Sequence, residues 1–265
     1  MVDSVPVFQG PPPRIRRVPI DRPWAWLGAG WNDFLGAPRV SLFYGLVPAV
    51  IGWISSVLLI WFDLPYLVLP FSAGFFFVGP FIAVGLYEVS RRREDGRPVN
   101  VEVTFCAWRR NPEQIALMGV LFLLFHLAWM RVAQLLFALF AWHDLPAWDR
   151  FSDVIWYSSH NLPFLSFGVV CGAVLAAIAF VIGAFSIPYL LDRPESNLFE
   201  AIGTSAAAVR VNPRPMLLWA ALIVFLIVLG MVTGLIGLLV TLPVAGYATW
   251  HAYRDIVSFD SSQWS

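Results

Sequence analysis

The sequence predicts an all-α membrane protein with six transmembrane helices, built as three repeated units of one interfacial amphipathic helix plus a helical hairpin. Three observations lead there. Apolar runs of spanning length recur along the chain, the arginines gather on one side of those runs, and a short motif returns before every second run.

Composition excludes the main alternatives. Of 265 residues, 59% are hydrophobic and 13% charged, with a mean hydropathy of +0.72. A soluble domain carries about 25% charge, so a soluble globular enzyme, a disordered chain and a disulfide scaffold are all excluded. Formal net charge is zero, which leaves no global field to recruit nucleic acid. All 17 basic residues are arginine, a bias that GC-rich codons produce and that points to a bacterial source.

Taken in order, residues 1–20 are polar, basic and proline-rich, and read as a disordered cytoplasmic tail without the apolar core of a signal peptide. A helix needs roughly 20 apolar residues to cross the hydrocarbon. The first such run covers Val40 to Trp61 and the second Leu64 to Tyr87, joined tightly at Asp63 and Pro65. The third covers Gln114 to Phe140 and the fourth Pro163 to Leu190. From Pro215 to Trp250 the apolar stretch is long enough for two crossings, which turn near Gly230, Gly234 and Gly237. The membrane domain is thus residues 21–257, with repeats of about 21–90, 91–190 and 191–257, and 258–265 form a short cytoplasmic tail.

Orientation follows from the arginines. Fifteen lie before span one, between spans two and three, between four and five, or after six. Only Arg150 lies on the opposite side, and Arg131 sits inside span three. Both termini are therefore expected in the cytoplasm of a cell bounded by an inner (plasma) membrane.

The stretches before spans one, three and five resemble one another. Each opens on Arg-Pro (Arg22-Pro23, Arg97-Pro98, Arg193-Pro194) and ends just before a proline (Pro38, Pro112, Pro213). Asn100 and Asn197 stand where helix N-caps belong. Apolar stripes at helical spacing follow: Trp24, Leu27, Trp31 and Leu35; Val101, Phe105 and Trp108; Leu198, Ile202, Ala206 and Val209. Tryptophan-bearing helices of this length suit the membrane–water interface, or pack on the cytoplasmic ends of the bundle. Pro80, Pro188 and Pro243 each precede an aromatic residue and then charge, and are expected to kink the even-numbered spans.

The run VGPFIAVGLYEVSRRREDGRPV, with its weaker echoes, resembles a bacterial family of predicted integral membrane proteins of unknown function (domain of unknown function 2189). The resemblance covers roughly residues 25 to 257. Some relatives carry the label of a cytochrome c oxidase subunit, which implies an association with respiratory membranes at most. A catalytic oxidase subunit needs a dozen spans and histidine ligands for haem, whereas this chain has four histidines. The resemblance brings no functional residues with it.

Polar groups inside a span are the default candidates for function. His126, Arg131 and Gln134 lie on span three. Arg131 and Gln134 share a sector, and His126 is turned about 140° away. They read as an anion or proton site, or as an arginine snorkelling to headgroups and a histidine bonding a neighbouring helix. Glu88 falls at ion-pair spacing from Arg91 and Arg92, which makes a rim ion pair a simpler reading than a gate carboxylate. His143 and His160 flank a loop whose Trp148, Phe151 and Ile155 have helical spacing. Its Asp144, Asp149 and Asp153 supply no third converging ligand of metal-site type. Cys106 and Cys171 read as packing residues. Gly168, Gly172 and Ala176 form a small-residue stripe on span four, and Gly230 with Gly234 repeats it on span five.

No catalytic constellation, cofactor motif or metal spacing is present, and the expectation is a non-enzyme. The bilayer is the expected partner, with anionic lipid at the arginine-rich face and a further membrane protein as candidates. The expected role is accessory, assembly or scaffolding; the alternative is a small transporter or channel for an anion, proton or lipid-like solute.

Overall fold

A computed structural model describes residues 13–62, 75–140 and 162–259, and the side chains of these except 75–81, 133, 134, 137, 138, 140 and 162–165. The hairpin turn at Asp63 and Pro65 lies outside the described residues. So does the whole loop carrying His143, Asp144, Trp148, Asp149, Arg150, Phe151, Asp153, Ile155 and His160.

The described residues are almost entirely helical. Strand β1 (Arg14–Ile15) leads to α1 (Arg22–Gly36) and α2 (Pro38–Trp61), then α3 (Phe75–Glu94). Next come α4 (Val101–Phe105), continued by a 3-10 turn over Cys106–Arg110, and α5 (Pro112–Phe140). α6 (Leu162–Gly183), α7 (Ser186–Asp192), α8 (Leu198–Val211), α9 (Pro213–Val232), α10 (Leu238–Ile256) and β2 (Val257–Ser258) complete it. Among the described residues, four stretches are helical, long and apolar enough to cross a membrane: Pro38–Trp61, Pro112–Val132, Ser166–Asp192 and Pro213–Val232.

Two further spans expected from the sequence do not meet that measure, for different reasons. Residues 64–74 of the second lie outside the described residues. The sixth corresponds to α10, which packs against α1, α2, α3 and α9. Tyr247, Ala248, Trp250, Ala252, Tyr253 and Ile256 on it are fully enclosed. A helix surrounded by protein can carry tyrosine, threonine and histidine, because lipid never touches them.

Local chemistry explains the element ends. The Asn100 side chain accepts from the Val103 amide at 2.9 Å, and Asn197 accepts from the Glu200 amide at 3.0 Å; each satisfies a donor the first helical turn leaves open. α4 stops after one turn because Val101, Val103 and Thr104 are β-branched and poor helix formers. Before Pro38, Pro112 and Pro213 the residues Ala37, Asn111 and Asn212 leave helical geometry, as residues preceding proline tend to. Their backbones are alike: φ −139 and ψ 55, φ −149 and ψ 69, φ −123 and ψ 54. Of the three expected kinks, Pro188 coincides with a break over Ala184 and Phe185, whereas α3 and α10 continue through Pro80 and Pro243.

Two sequence expectations need correcting. Residues 13–20 are not a disordered tail. Arg14 and Ile15 pair antiparallel with Ser258 and Val257, and Ile15 and Val18 pack on the core; two apolar residues among the arginines suffice to dock the segment. The small-residue stripes also divide. A Cβ on Gly172 would lie 3.1 Å from the Trp129 ring, and one on Gly230 would meet Leu238 and Thr241, whereas Gly168 faces open space. Gly234 is not on a helix face at all; it sits in the α9–α10 turn with φ +67.

The burial pattern is that of a protein whose solvent is apolar. Trp24, Trp31 and Leu35 of α1 are exposed, while Trp26, Gly30, Asp33 and Phe34 are buried. Phe105 and Trp108 point out, while Thr104 and Ala107 are buried. On α8, Glu200, Ala201, Thr204, Ser205 and Ala208 are buried, and Phe199 is exposed. In each short helix polar and small residues turn inward and at least one large aromatic turns outward, while α1 also buries Trp26 and Phe34.

Candidate functional site

The inward polar faces meet at the arginine-rich end of the molecule. Asp33, on α1, is their hub. It is 7% exposed and accepts from Ser90 Oγ at 2.6 Å, from Arg93 Nε at 2.7 Å, and pairs with His251 Nε2 at 2.8 Å. Ser90 and Arg93 stand one turn apart on α3, and His251 comes from α10, so one carboxylate ties three helices together. Burial alone raises the Asp33 pKa. The hydrogen bonds from His251, Ser90 and Arg93 outweigh burial and hold it below the ordinary carboxylate value.

The network continues from His251. Its Nδ1 lies 3.6 Å from Glu94 Oε1, whose other oxygen is 3.3 Å from Arg254 Nε. Arg254 also reaches Asp192 Oδ2 at 3.6 Å, and that oxygen accepts from the Tyr253 hydroxyl at 2.9 Å. Burial raises the Glu94 pKa, with Arg254 and His251 opposing it. Three helix ends that the sequence marks with proline, aromatic and charge (α3, α7 and α10) are thus stitched together.

Outlying bonds close the layer. Arg22 Nε and the Trp26 indole both donate to Asp255 Oδ2, at 2.8 and 2.9 Å. Arg110 Nε donates to the Leu191 carbonyl at 2.9 Å, and the Gln114 side chain accepts from the Leu198 amide at 2.9 Å. Buried Asn111 donates to the Ser196 carbonyl at 3.0 Å. Asn212 accepts from the Val18 amide and donates to the Arg16 carbonyl, both at 2.9 Å.

Glu88, 2% exposed, receives Arg91 bidentately at 2.7 Å for both bonds and Arg92 Nε at 2.8 Å. The sequence spacing of these three residues thus corresponds to direct contact. Glu88 and Asp33 are acceptors already engaged by guanidinium groups. Asp33 thereby joins three helices, whereas Glu88 orients two arginines of its own helix.

His126 is half-buried on α5 and Arg131 is exposed on the same helix, while the Gln134 side chain lies outside the described residues. Cys106 and Cys171 are half-buried thiols in separate helices. Among the described residues, no group of three or more His, Cys, Asp or Glu side chains has metal-holding geometry.

Asp33, Ser90, Glu94, Asp192 and His251 were not singled out by sequence reasoning. A usable signal was present: in a chain that folds in lipid, the polar face of an amphipathic helix points toward protein, so Asp33 opposite Trp24 and Trp31 belongs inside.

Residues 68–192 match the model of a family described as predicted integral membrane protein (DUF2189). No curated protein and no solved structure matches the chain.

Proposed function

We propose that this integral membrane protein is a non-catalytic accessory, assembly or scaffold protein of a bacterial inner membrane, with six spans in three repeated units and both termini in the cytoplasm. The observation that carries the reading is the orientation of the short helices. Their inward polar groups are engaged in internal hydrogen bonds and, on α1, ion pairs, and Trp24, Trp31, Phe105 and Trp108 face outward. What this end offers to its surroundings is aromatic surface suited to the interface and to a neighbouring membrane protein.

The three-unit, six-span arrangement is supported by the shared backbone geometry at Ala37, Asn111 and Asn212 and by the two Asn caps. The asparagines also hand over in sequence: Asn111 of the second unit bonds the segment opening the third, and Asn212 of the third bonds the segment before the first. The described helix ends that would open and close the three hairpins gather at the layer of arginines, in keeping with paired spans, while Trp53 bonds the Gly234 carbonyl at the other end. The arginine excess supports a cytoplasmic placement of the layer and contact with anionic headgroups. A second reading, a small transporter or channel for an anion, proton or lipid-like solute, is favoured by one observation: Arg131 lies within the apolar length of α5.

A photo-crosslinking residue placed at Trp24, Trp31 or Trp108 in native membranes tests the first reading. It expects one protein adduct of fixed mass from these positions, and lipid adducts alone from Leu124 on the exposed face of α5. Lipid adducts alone everywhere, together with anion or proton flux in liposomes that Arg131→Leu abolishes, would replace it with the second.

A further inference from the structure

The arginine-rich end also contains a hollow of about 390 Å³, lined by Arg16, Asp192, Arg193, Arg254 and the β2 segment from Val257 to Phe259. Its volume falls in the range of small-ligand sites, about 300–1,000 Å³. Three guanidinium groups from distant parts of the chain converge on it, and one carboxylate faces them. The pairing of β1 with β2 creates this convergence, because it carries Arg16 across to the end of α10.

We propose that this hollow binds a phosphate-bearing anion. Arg254 is met by Glu94 and Asp192, and the Asp192 Oδ2 also serves Tyr253, so Arg16 and Arg193 are the guanidinium groups open to an anion. Among the described residues neither Arg16 nor Arg193 pairs with a carboxylate. The Arg193 guanidinium lies 3.8 Å over the centre of the Phe259 ring. That stacking fixes its plane and leaves its N–H groups directed sideways, the geometry that suits the oxygens of a phosphate. Arg254 lies between Glu94 and Asp192. The phosphate comes either from a phospholipid headgroup or from a soluble phosphate-bearing molecule. The proposal holds whether the protein scaffolds or conducts.

The test uses the full chain in two settings. In neutral detergent, inorganic phosphate is titrated against chloride at matched ionic strength, with thermal unfolding as the readout. In nanodiscs, native mass spectrometry counts lipids retained from pure phosphatidylcholine and from mixtures with phosphatidic acid. Arg16→Gln and Arg193→Gln, both exposed and outside the ion-paired layer, are compared with Arg17→Gln, which does not line the hollow. Each of the first two is expected to weaken phosphate or phosphatidic acid binding about tenfold, the loss of one charge-assisted contact, with Arg17→Gln unchanged. Binding in detergent assigns the soluble source, and retention in nanodiscs alone assigns the headgroup; either supports the site. Equal losses in all three variants would reduce it to diffuse surface charge, and phosphate no better than chloride with no lipid retained would overturn it.

Discussion

Removing the Asp33 carboxylate is expected to loosen the whole arginine-rich end, and the size of the effect can be worked from the contacts. Asp33→Ala leaves the Ser90 hydroxyl, fully buried, without its acceptor, at about 1–3 kcal/mol. The Arg93 side chain is 34% exposed and turns to water, so its lost ion pair adds only about 0–1 kcal/mol. His251 keeps Glu94 nearby and loses one hydrogen bond, about 1 kcal/mol. The total is about 3 kcal/mol, at the lower edge of the ~3–5 kcal/mol typical for breaking a buried pair. For a chain of this size that lowers Tm by about 6–12 °C. Asp33→Asn keeps the shape and one acceptor oxygen and is expected to lose about half as much. The assay is thermal unfolding of the purified chain in mild detergent, followed by tryptophan fluorescence. Ser90→Ala in the Asp33→Ala background is expected to cost almost nothing further, since its partner is already gone. An Asp33→Ala chain as stable as wild type, or fully additive losses in the double variant, would refute the reasoning.

Two other outcomes follow from the same contacts. A Cβ on Gly30 would sit 2.8 Å from the Ala248 nitrogen and the Val244 carbonyl oxygen of α10; backbone cannot yield there, so Gly30→Ala is expected to cost about 1–3 kcal/mol. Gly168→Ala, facing open space, is expected to change stability by less than about 0.5 kcal/mol, and unfolding midpoints of the pair check both. For pH, Asp33 titrates lower folded than unfolded, so its stabilisation is complete above the ordinary carboxylate value near ~3.9 and is lost as pH falls through its depressed value. Glu94 has the opposite sign: its raised pKa favours the neutral form, so acidification through that value relieves strain. A Tm profile from neutral to acid should therefore hold or rise slightly and then drop, and Asp33→Asn should flatten the drop.

Four of the expected spans were legible because hydropathy is additive along a local window and needs no partner. The Glu88 pair and the Asn caps were legible for a related reason: their partners stand three or four residues away. Asp33 was not, because Ser90, Arg93 and His251 lie 57, 60 and 218 residues away. The apolar stripes on α1, α4 and α8 were legible as stripes, but which way they face depends on the solvent. In water Trp31 would turn inward; against lipid it turns out and Asp33 turns in. The docking of residues 13–18 escaped notice because two apolar side chains and an asparagine nearly 200 residues distant hold a segment whose composition alone reads as tail.

The central claim is that the arginine-rich segments before spans one, three and five and after span six lie on one face of the bilayer, opposite the α9–α10 turn. Single cysteines at Arg97, Glu195, Ser258 and Ile236, in a chain with Cys106 and Cys171 replaced, put this to an impermeant maleimide on intact cells. The account expects label at position 236 alone, and at the other three only after the membrane is opened. Label at 97, 195 or 258 in intact cells, in any combination that separates them, would contradict it.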